Sequence, residues 1–310
     1  IHAQAFRRLQ GKTQVYAPSD GDHHRTRLTH TIEVAYVSRD LARALSLNED
    51  LAECIALAHD LGHTPFGHAG ETAMNRCLQS YGEHFEHNEH SRRIVEVLER
   101  HSRTFPGLNL HREVLEGLMK HTKVSGHSLE AQIVNLADEV AYTAHDTDDG
   151  LRSGLLTEAI IQTTSLGARA IEQSTRKGTS IRGSIVRFLV EDLCDATQGA
   201  ISDHPGLTYD ALRHLESSLA TFTVSTRQEL DEYRSMLFRH CYDHPQIREA
   251  TTRGERMIES LFQSYLLAPP SGVRDYQEAT GSSLPIAVKD FIAGMTDAFA
   301  ERSLDTLRTV

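Results

Sequence analysis

Residues 58–71 read AHDLGHTPFGHAGE and decide the fold, because a histidine–aspartate pair here follows an apolar helical segment. The segment over 51–61 is apolar on nearly every side, which predicts a buried helix with Asn48 as its N-cap. Burying the Asp60 carboxylate next to His59 is costly unless the carboxylate is paired or bound to a metal. The stretch therefore predicts a polar site inside a helical core.

Two other helical patterns also place a metal-binding side chain among apolar residues. His30 lies on an apolar stripe that repeats every three or four residues, and Asp138 lies in an apolar run near the middle of the chain. A lone buried histidine is usually a hydrogen-bonded core residue, and a lone Asp60 would cap a helix or pair with an arginine. Three buried helices that each carry such a residue favour one divalent cation instead, bound by His30, His59, Asp60 and Asp138.

Apolar residues recur at helical spacing along most of the chain, and the eight prolines fall in the breaks. The best strand candidate is a short one, Ala220 to Val224. Further helices are predicted over 69–80, 88–101, 111–121, 129–146, 155–200, 208–220, 226–240 and 285–305, with another that ends at 267 and a break at 203–206. We therefore predict an all-α fold, with a helical core over 1–200 and a helical C-terminal subdomain over 201–310 packed on it.

Composition excludes several classes of protein. Of 310 residues, 39% are hydrophobic and 24% are charged, which is ordinary for a soluble globular protein. No apolar run approaches the roughly 18 residues that span a bilayer, so we expect no membrane association. Four scattered cysteines without a C-x-x-C pair favour a reduced, cytoplasmic setting over a disulfide framework.

The charge balance argues against a protein that coats nucleic acid. Lysine and arginine number 32 against 43 aspartates and glutamates, which gives a net charge of −11. Basic residues still cluster at Arg7, Arg8 and Lys12 and again at Arg25 and Arg27, which leaves local binding of single-stranded DNA as an effector open. Histidine is abundant, and most of its 19 occurrences fall in the first half, where we expect the chemistry.

Longer strings around these residues carry a resemblance to a known family. They are FRRLQGKTQV at 6–15, RTRLTHTIEVA at 25–35, the HD stretch itself, LEAQIVNLADEVAYTAHDTDDGLRSGLL at 129–156 and DFIAGMTDAFA at 290–300. Together they resemble the bacterial deoxyguanosinetriphosphate triphosphohydrolase-like proteins, which are HD-domain dNTP triphosphohydrolases. The likeness extends over nearly the whole chain.

The resemblance implies an HD-domain helical bundle with a helical C-terminal extension. It implies hydrolysis of a dNTP, dGTP or several dNTPs, to the deoxynucleoside and inorganic tripolyphosphate. The expected cofactor is a divalent metal, Mn²⁺ or Mg²⁺, with Co²⁺, Ni²⁺ and Fe²⁺ as alternatives, since a His/Asp site accepts each of them. It also implies a homo-oligomer, often a hexamer, while an allosteric nucleotide remains an open expectation.

The resemblance assigns the catalytic roles to residues that follow the HD pair. His68 matches the family's catalytic histidine and would be the general acid, and Glu71, three residues on, would orient and charge its ring. The alternative is that His68 merely caps a turn. A second active-site histidine matches His87, although His84 and His90 leave the register ambiguous.

Substrate-binding roles follow in the same way. His63 matches a phosphate-contacting position, and Arg27, one helical turn before the metal histidine, would bind phosphate unless it is a solvated surface arginine. Gln14 matches a glutamine that reads the 3′ hydroxyl. Tyr142 and Asp146 match residues near the sugar and share one helix face with the metal aspartate, although Tyr142 is also compatible with an ordinary core position.

Two rival functions remain open at this point. An HD-type 5′-nucleotidase or cyclic-nucleotide phosphodiesterase shares the metal site but does not need the KTQV string or the His68–Glu71 pair. A nucleotide sensor or single-strand DNA-binding protein is disfavoured by the acidic balance. One departure limits the resemblance: related eukaryotic dNTPases have a lysine directly after the metal aspartate, and this chain has Glu139.

Overall fold

The computed structural model describes residues 1–14, 25–119 and 127–308, and within these ranges it contains helices and no strand. The all-α prediction is confirmed. The helices are α1 (Gln4–Arg8), α2 (Arg27–Ala44), α3 (Glu49–Ala58), α4 (Gly67–Gln79), α5 (His87–Arg93), α6 (Arg112–Gly117), α7 (Leu129–Arg152), α8 (Glu158–Ile161), α9 (Ser165–Lys177), α10 (Ile181–Ser202), α11 (Tyr209–Leu212), α12 (Val224–Leu237), α13 (Pro245–Leu267), α14 (Ser271–Thr280), α15 (Leu284–Ala293) and α16 (Asp297–Arg308).

Local capping explains where the helix predictions were wrong. The helical stretch predicted over 155–200 is divided into α8, α9 and α10, because Thr164 and Ser180 each accept a backbone N–H at a new helix start. The candidate strand Ala220 to Val224 is absent, since Thr223 caps α12 through the N–H of Thr226. The helix predicted over 208–220 is only α11, and the one over 285–305 is divided into α15 and α16.

The chain divides into two compact units that are not contiguous in sequence. The first unit comprises Ile1–Thr31, Leu57–Met119 and Arg248–Val310. The second comprises Ile32–Ala56 and Lys120–Ile247. This is a different division from that into 1–200 and 201–310, which stays a prediction.

The first unit has two apolar clusters that hold the helix after the HD pair in place. One joins α4 to the C-terminal helices α13 and α15 through side chains such as Met74, Phe262 and Ile292, none of which is exposed to solvent. The other contains Leu9 and Leu61 with the residues around α5 and α6. Each fully buried side chain of this kind contributes about 1.5–3 kcal/mol relative to exposure. Both ends of the HD stretch are thus anchored in packed apolar layers.

The second unit is built around α7, the longest helix in the described part of the chain. Its residues from 129 to 152 pack against α10, and α12 packs against α9. Thr147 on α7 and Tyr233 on α12 share a buried hydrogen bond of 2.8 Å between their hydroxyl oxygens. Asp138, Tyr142 and Asp146 therefore lie on one rigid helix.

Two expectations from composition have structural counterparts. Over the described ranges, no helix combines the length and apolar character that crossing a membrane requires. The four cysteines are free thiols, and burial raises the pKa of Cys77 to about 11, which makes it a poor nucleophile.

Candidate active site and metal centre

The HD pair sits in a tight turn immediately after α3. Asn48 caps this helix as predicted, accepting the N–H groups of Asp50 and Leu51 at 3.1 and 3.0 Å. The helix ends at Ala58, three residues earlier than predicted, so His59 and Asp60 lie in the turn and not in the helix.

A serine of α5 fixes this turn. The Ser91 hydroxyl donates to the carbonyl of His59 at 2.8 Å and accepts the N–H of Gly62 at 2.8 Å. At Gly62 a side chain has no room, because a Cβ there would lie 2.1 Å from the carbonyl oxygen of His87 and 2.3 Å from the nitrogen of Ser91. The first residue of α5, His87, is thereby placed against the HD turn.

We predict that Gly62→Ala lowers the free energy of unfolding by about 3 kcal/mol, because both close atoms belong to the backbone and α5 would have to move. Gly199→Ala on α10 is the matched control, since nothing lies within 4 Å of a Cβ there. It should stabilise the protein by about 0.5–1 kcal/mol. Urea unfolding of both variants checks this, and a Gly62→Ala protein as stable as the control would contradict the packing described.

Asp60 is the centre of the polar cluster in the first unit. Its carboxylate lies 2.9 Å from an Arg27 Nη atom, 3.1 Å from His63 Nε2, 3.4 Å from His59 Nε2 and 3.8 Å from His30 Nε2. All five side chains are at most 5% exposed. Burial alone would raise the pKa of Asp60, but the His59 and His63 rings and the Arg27 guanidinium outweigh it and hold that pKa well below its usual value.

These donors fit a divalent cation. An ionised carboxylate beside two imidazole nitrogens, shielded from water, is a ligand set that Mn²⁺, Fe²⁺, Co²⁺ and Ni²⁺ accept. The ring planes of His30 and His59 are inclined by 67°, and the ring centroids are 5.6 Å apart. Because the rings are edge to face and not stacked, one nitrogen of each can reach the same ion. Asp138, the fourth predicted ligand, is half-buried on α7 in the second unit, and its part in the metal shell stays a prediction.

A second cluster lies beside the first and consists of His63, His68, Glu71 and His87. The Glu71 carboxylate accepts the backbone N–H of His87 at 2.9 Å and lies 3.0 and 3.1 Å from its Nδ1. It also lies 3.4 Å from Nδ1 of His68. Burial alone would raise the pKa of Glu71, but the hydrogen bonds with His68 and His87 outweigh it and hold that pKa far below its usual range.

Ring geometry favours proton chemistry over a second metal in this cluster. The His63 and His87 rings are stacked, with centroids 4.0 Å apart and planes inclined by 18°. Imidazole coordinates a metal in its own plane at about 2.0–2.1 Å, so two stacked rings cannot converge on one ion. Burial lowers the pKa of His63, and Arg27 and His87 add to the effect, so this ring is neutral at pH 7. The exposed member is His68, whose side chain is 76% exposed.

The structure separates the three histidines that the sequence left ambiguous. His87 contacts Glu71, as described. His84 instead makes an exposed pair with Glu89 at 2.7 Å, and His90 is buried, 3.8 Å from Asp290. Of the three, only His87 belongs to the cluster.

The predicted phosphate and sugar residues of the first unit lie close together. Arg27 is fully buried, not a solvated arginine, and its guanidinium is shared between Asp60 and the carbonyl oxygen of Gln14, 3.4 Å away. A Cβ at Gly67 would lie 3.1 Å from that guanidinium, which explains a glycine there. The side-chain carbonyl of Gln14 accepts no hydrogen bond from the described residues.

The second unit adds two residues that sequence reasoning missed. Tyr242 donates a short hydrogen bond to Asp146, and the Arg234 guanidinium lies 5.3 Å from the ring centre of Tyr142. Tyr142, Arg234, Phe238 and Tyr242 line one cavity of about 350 Å³. The signal available in the sequence was the four-residue spacing of the last three, which puts them on one helix face.

Glu139, the residue after the predicted metal aspartate, is held by two arginines of α12. Its carboxylate accepts two hydrogen bonds of 2.8 Å from the Arg227 guanidinium and a short one from Arg234. The positive charge near this position thus comes from two arginines of α12 that pair with Glu139.

Comparison with known proteins identifies the family of this chain. The HD domain family model matches residues 27–143, and the phosphohydrolase-associated domain model matches residues 220–306. The deoxyguanosinetriphosphate triphosphohydrolase-like proteins of Thiobacillus denitrificans, Bordetella pertussis and Azoarcus sp. are 41%, 42% and 44% identical to this chain. Each alignment covers 97% of this chain and 86%, 86% and 85% of the respective relative. The chain therefore belongs to the deoxyguanosinetriphosphate triphosphohydrolase-like family of HD-domain phosphohydrolases.

Proposed function

We propose that the protein hydrolyses a dNTP, dGTP or several dNTPs, to the deoxynucleoside and inorganic tripolyphosphate with the help of a divalent cation. The observation that carries the proposal is the pairing, within one compact unit, of the buried Asp60 cluster with the His68–Glu71–His87 series. A protein that only stores a metal needs the first cluster. The second adds a proton donor held by an ionised carboxylate, as a hydrolase requires.

His30, His59, Asp60 and Asp138 would hold the cation, Mn²⁺ or Mg²⁺ in the first instance. A divalent cation bound there lowers the pKa of a bound water and neutralises phosphate charge. Asp60 is suited to this role because it is already ionised, and a 2.9 Å ion pair with Arg27 stabilises the ionised form.

The remaining residues handle the proton and the substrate. The bond that forms joins a water oxygen to the α-phosphorus, and the bond that breaks joins the α-phosphorus to the 5′ oxygen. His68 gives its proton to the departing 5′ oxygen, and ionised Glu71 stabilises the protonated ring beforehand. The water oxygen leaves as part of tripolyphosphate, and the proton that this water loses passes to solvent, from which His68 is protonated again.

The remaining expected roles concern substrate binding. Arg27 and His63 would contact the phosphates, and Gln14 offers an unused carbonyl oxygen for the 3′ hydroxyl. Tyr142 and Asp146 would pack against the deoxyribose, with Tyr242 fixing the Asp146 carboxylate. Arg234 supplies a further positive charge beside Tyr142.

The experiment that tests this function measures the product. The protein should release tripolyphosphate, detected by ion chromatography, when it is incubated with Mn²⁺ and each dNTP, alone and in mixtures. Release of orthophosphate or pyrophosphate would contradict the proposal, because each requires cleavage of a phosphoanhydride bond and not of the bond to the 5′ oxygen. Orthophosphate from a deoxynucleoside monophosphate, or opening of a cyclic nucleotide, would indicate a 5′-nucleotidase or a phosphodiesterase instead. No product from any dNTP or mixture would leave a nucleotide or single-strand DNA sensor as the better interpretation.

Assembly and location are part of the same proposal. Family membership supports a homo-oligomer, with a hexamer as the specific expectation, and regulation by a nucleotide or by single-stranded DNA. The free cysteines fit a reducing, cytoplasmic environment. Analytical ultracentrifugation with and without dNTP measures the oligomeric state, and a monomer under both conditions would contradict it.

A further inference from the structure

The segment between the two clusters, residues 63–66, is held by residues far away in the sequence. Lys12 is 2% exposed, and its ammonium group donates to the carbonyl oxygen of His63 and to that of Ala293, the latter at 2.8 Å. Burial lowers the pKa of Lys12 to about 7, and nearby Arg8 and Arg27 add to the effect. Burying a lysine ammonium group costs free energy, and the hydrogen bonds to these two carbonyl oxygens offset part of that cost.

Asp297, the first residue of α16, holds the other end of the segment. One carboxylate oxygen accepts the N–H of Phe66 at 3.0 Å. The other accepts the N–H and the hydroxyl of Thr13 at 2.9 and 2.6 Å. A single carboxylate thus joins residues 63–66, the residue before Gln14 and the start of α16.

The segment needs such external support. Phe66 has a left-handed backbone, with φ of 62°, at the start of α4, where a side chain other than glycine is strained. The Phe66 side chain makes no capping hydrogen bond at this helix start, and the backbone N–H of Phe66 donates to Asp297. The chain is closely packed around the hydrogen bonds of Lys12 and Asp297. A Cβ at Gly11 would lie 2.7 Å from the Thr296 methyl group, and one at Gly254 would lie 2.9 Å from the Phe66 Cβ.

We propose that Lys12 and Asp297 are positioning residues, which fix residues 63–66 and thereby set the distance of His68 and Glu71 from Asp60. The inference rests on the proposed function, because the quantity it controls is the alignment of the proton donor with the metal cluster. In the described structure neither residue forms a hydrogen bond or an ion pair with the Asp60 carboxylate, so we expect metal binding to survive their replacement. Misplacement of a catalytic group by about 1 Å costs on the order of 100-fold in rate.

The test uses two variants. Asp297→Asn keeps the shape of the side chain but weakens its hydrogen bonds with Phe66 and Thr13. Lys12→Met keeps most of the aliphatic part of the side chain and removes the ammonium group. For each we expect kcat to fall about 10- to 100-fold while KM and Mn²⁺ affinity stay within about twofold. Asp305→Asn, an exposed carboxylate on the same helix, is the matched control and should keep full activity. Hydrogen exchange at the Phe66 amide should accelerate in Asp297→Asn and not in the control.

A double-mutant cycle with His68→Ala separates positioning from general stability. If Asp297 acts through His68, Asp297→Asn should cost little further rate in the His68→Ala background. The same loss factor in both backgrounds, a parallel loss of Mn²⁺ affinity, or unchanged kcat would overturn the proposal. A wild-type protein that releases no tripolyphosphate would refute the proposed function instead. In that case, an unchanged rate of hydrogen exchange at the Phe66 amide in Asp297→Asn would still refute the positioning role of Asp297, independently of activity.

Discussion

The variant Asp60→Asn should lose both the divalent cation and the activity. Its carboxylate is the group that faces His30, His59, His63 and Arg27 at 2.9–3.8 Å, and asparagine removes the negative charge without changing the shape. We expect kcat to fall at least ~1000-fold, because the cation contributes several kcal/mol of charge stabilisation. Metal content after dialysis against Mn²⁺, measured by mass spectrometry, and tripolyphosphate release are the two measurements.

The control for this variant is Asp50→Asn, which alters a carboxylate whose side chain is 92% exposed in an ion pair with Arg39. It should keep metal and rate. Asp60→Asn also leaves the buried Arg27 without its counter-ion, at a cost of about 3–5 kcal/mol in stability, so circular dichroism must accompany the assay.

Chelation of the wild-type protein provides a second test: activity should disappear with EDTA and return with Mn²⁺. Stoichiometric metal in folded Asp60→Asn would contradict the assignment.

His68→Ala should behave in the opposite way with respect to the metal. The ring is 76% exposed and contacts Glu71, not Asp60, so metal content should match the wild type. Without the proton donor, kcat should fall about 100- to 10 000-fold. Steady-state kinetics and metal analysis on the same preparation check both statements.

His84→Ala is the matched control, because His84 also pairs with a glutamate, Glu89, but on the surface away from the cluster. Its kinetics should equal those of the wild type. If His68→Ala lost metal and rate together, or if His84→Ala lost as much rate, His68 would not be the general acid.

The HD turn shows what the sequence makes predictable. Asn48 as a cap, an apolar helix and a buried His59–Asp60 pair are local features, and local patterns determine helix existence well. The register of His87 against His84 and His90 was not predictable from spacing. It depends on Glu86, whose carboxylate caps α5 and makes His87 the first helical residue, facing Glu71.

Contacts between distant segments escaped sequence reasoning for a related reason. A helical pattern indicates which residues share a face but not which other helix that face meets. The hydrogen bond between Tyr242 and Asp146 and the tie between Asp297 and Phe66 are both of this kind. Motif strings marked the regions of Asp297 and Asp146, whereas the physical partners became apparent only in the folded chain.

The tie through Asp297 has a consequence for biosynthesis. The first unit is assembled from three separated segments, and the last of them begins at Arg248. At about 5–20 residues per second, tens of seconds pass between synthesis of Glu71 and synthesis of Asp297. During that interval the nascent polypeptide carries every histidine of the HD stretch but lacks the carboxylate that holds Phe66, so we expect the proton donor of the ribosome-bound chain to stay misaligned until α16 has been synthesised.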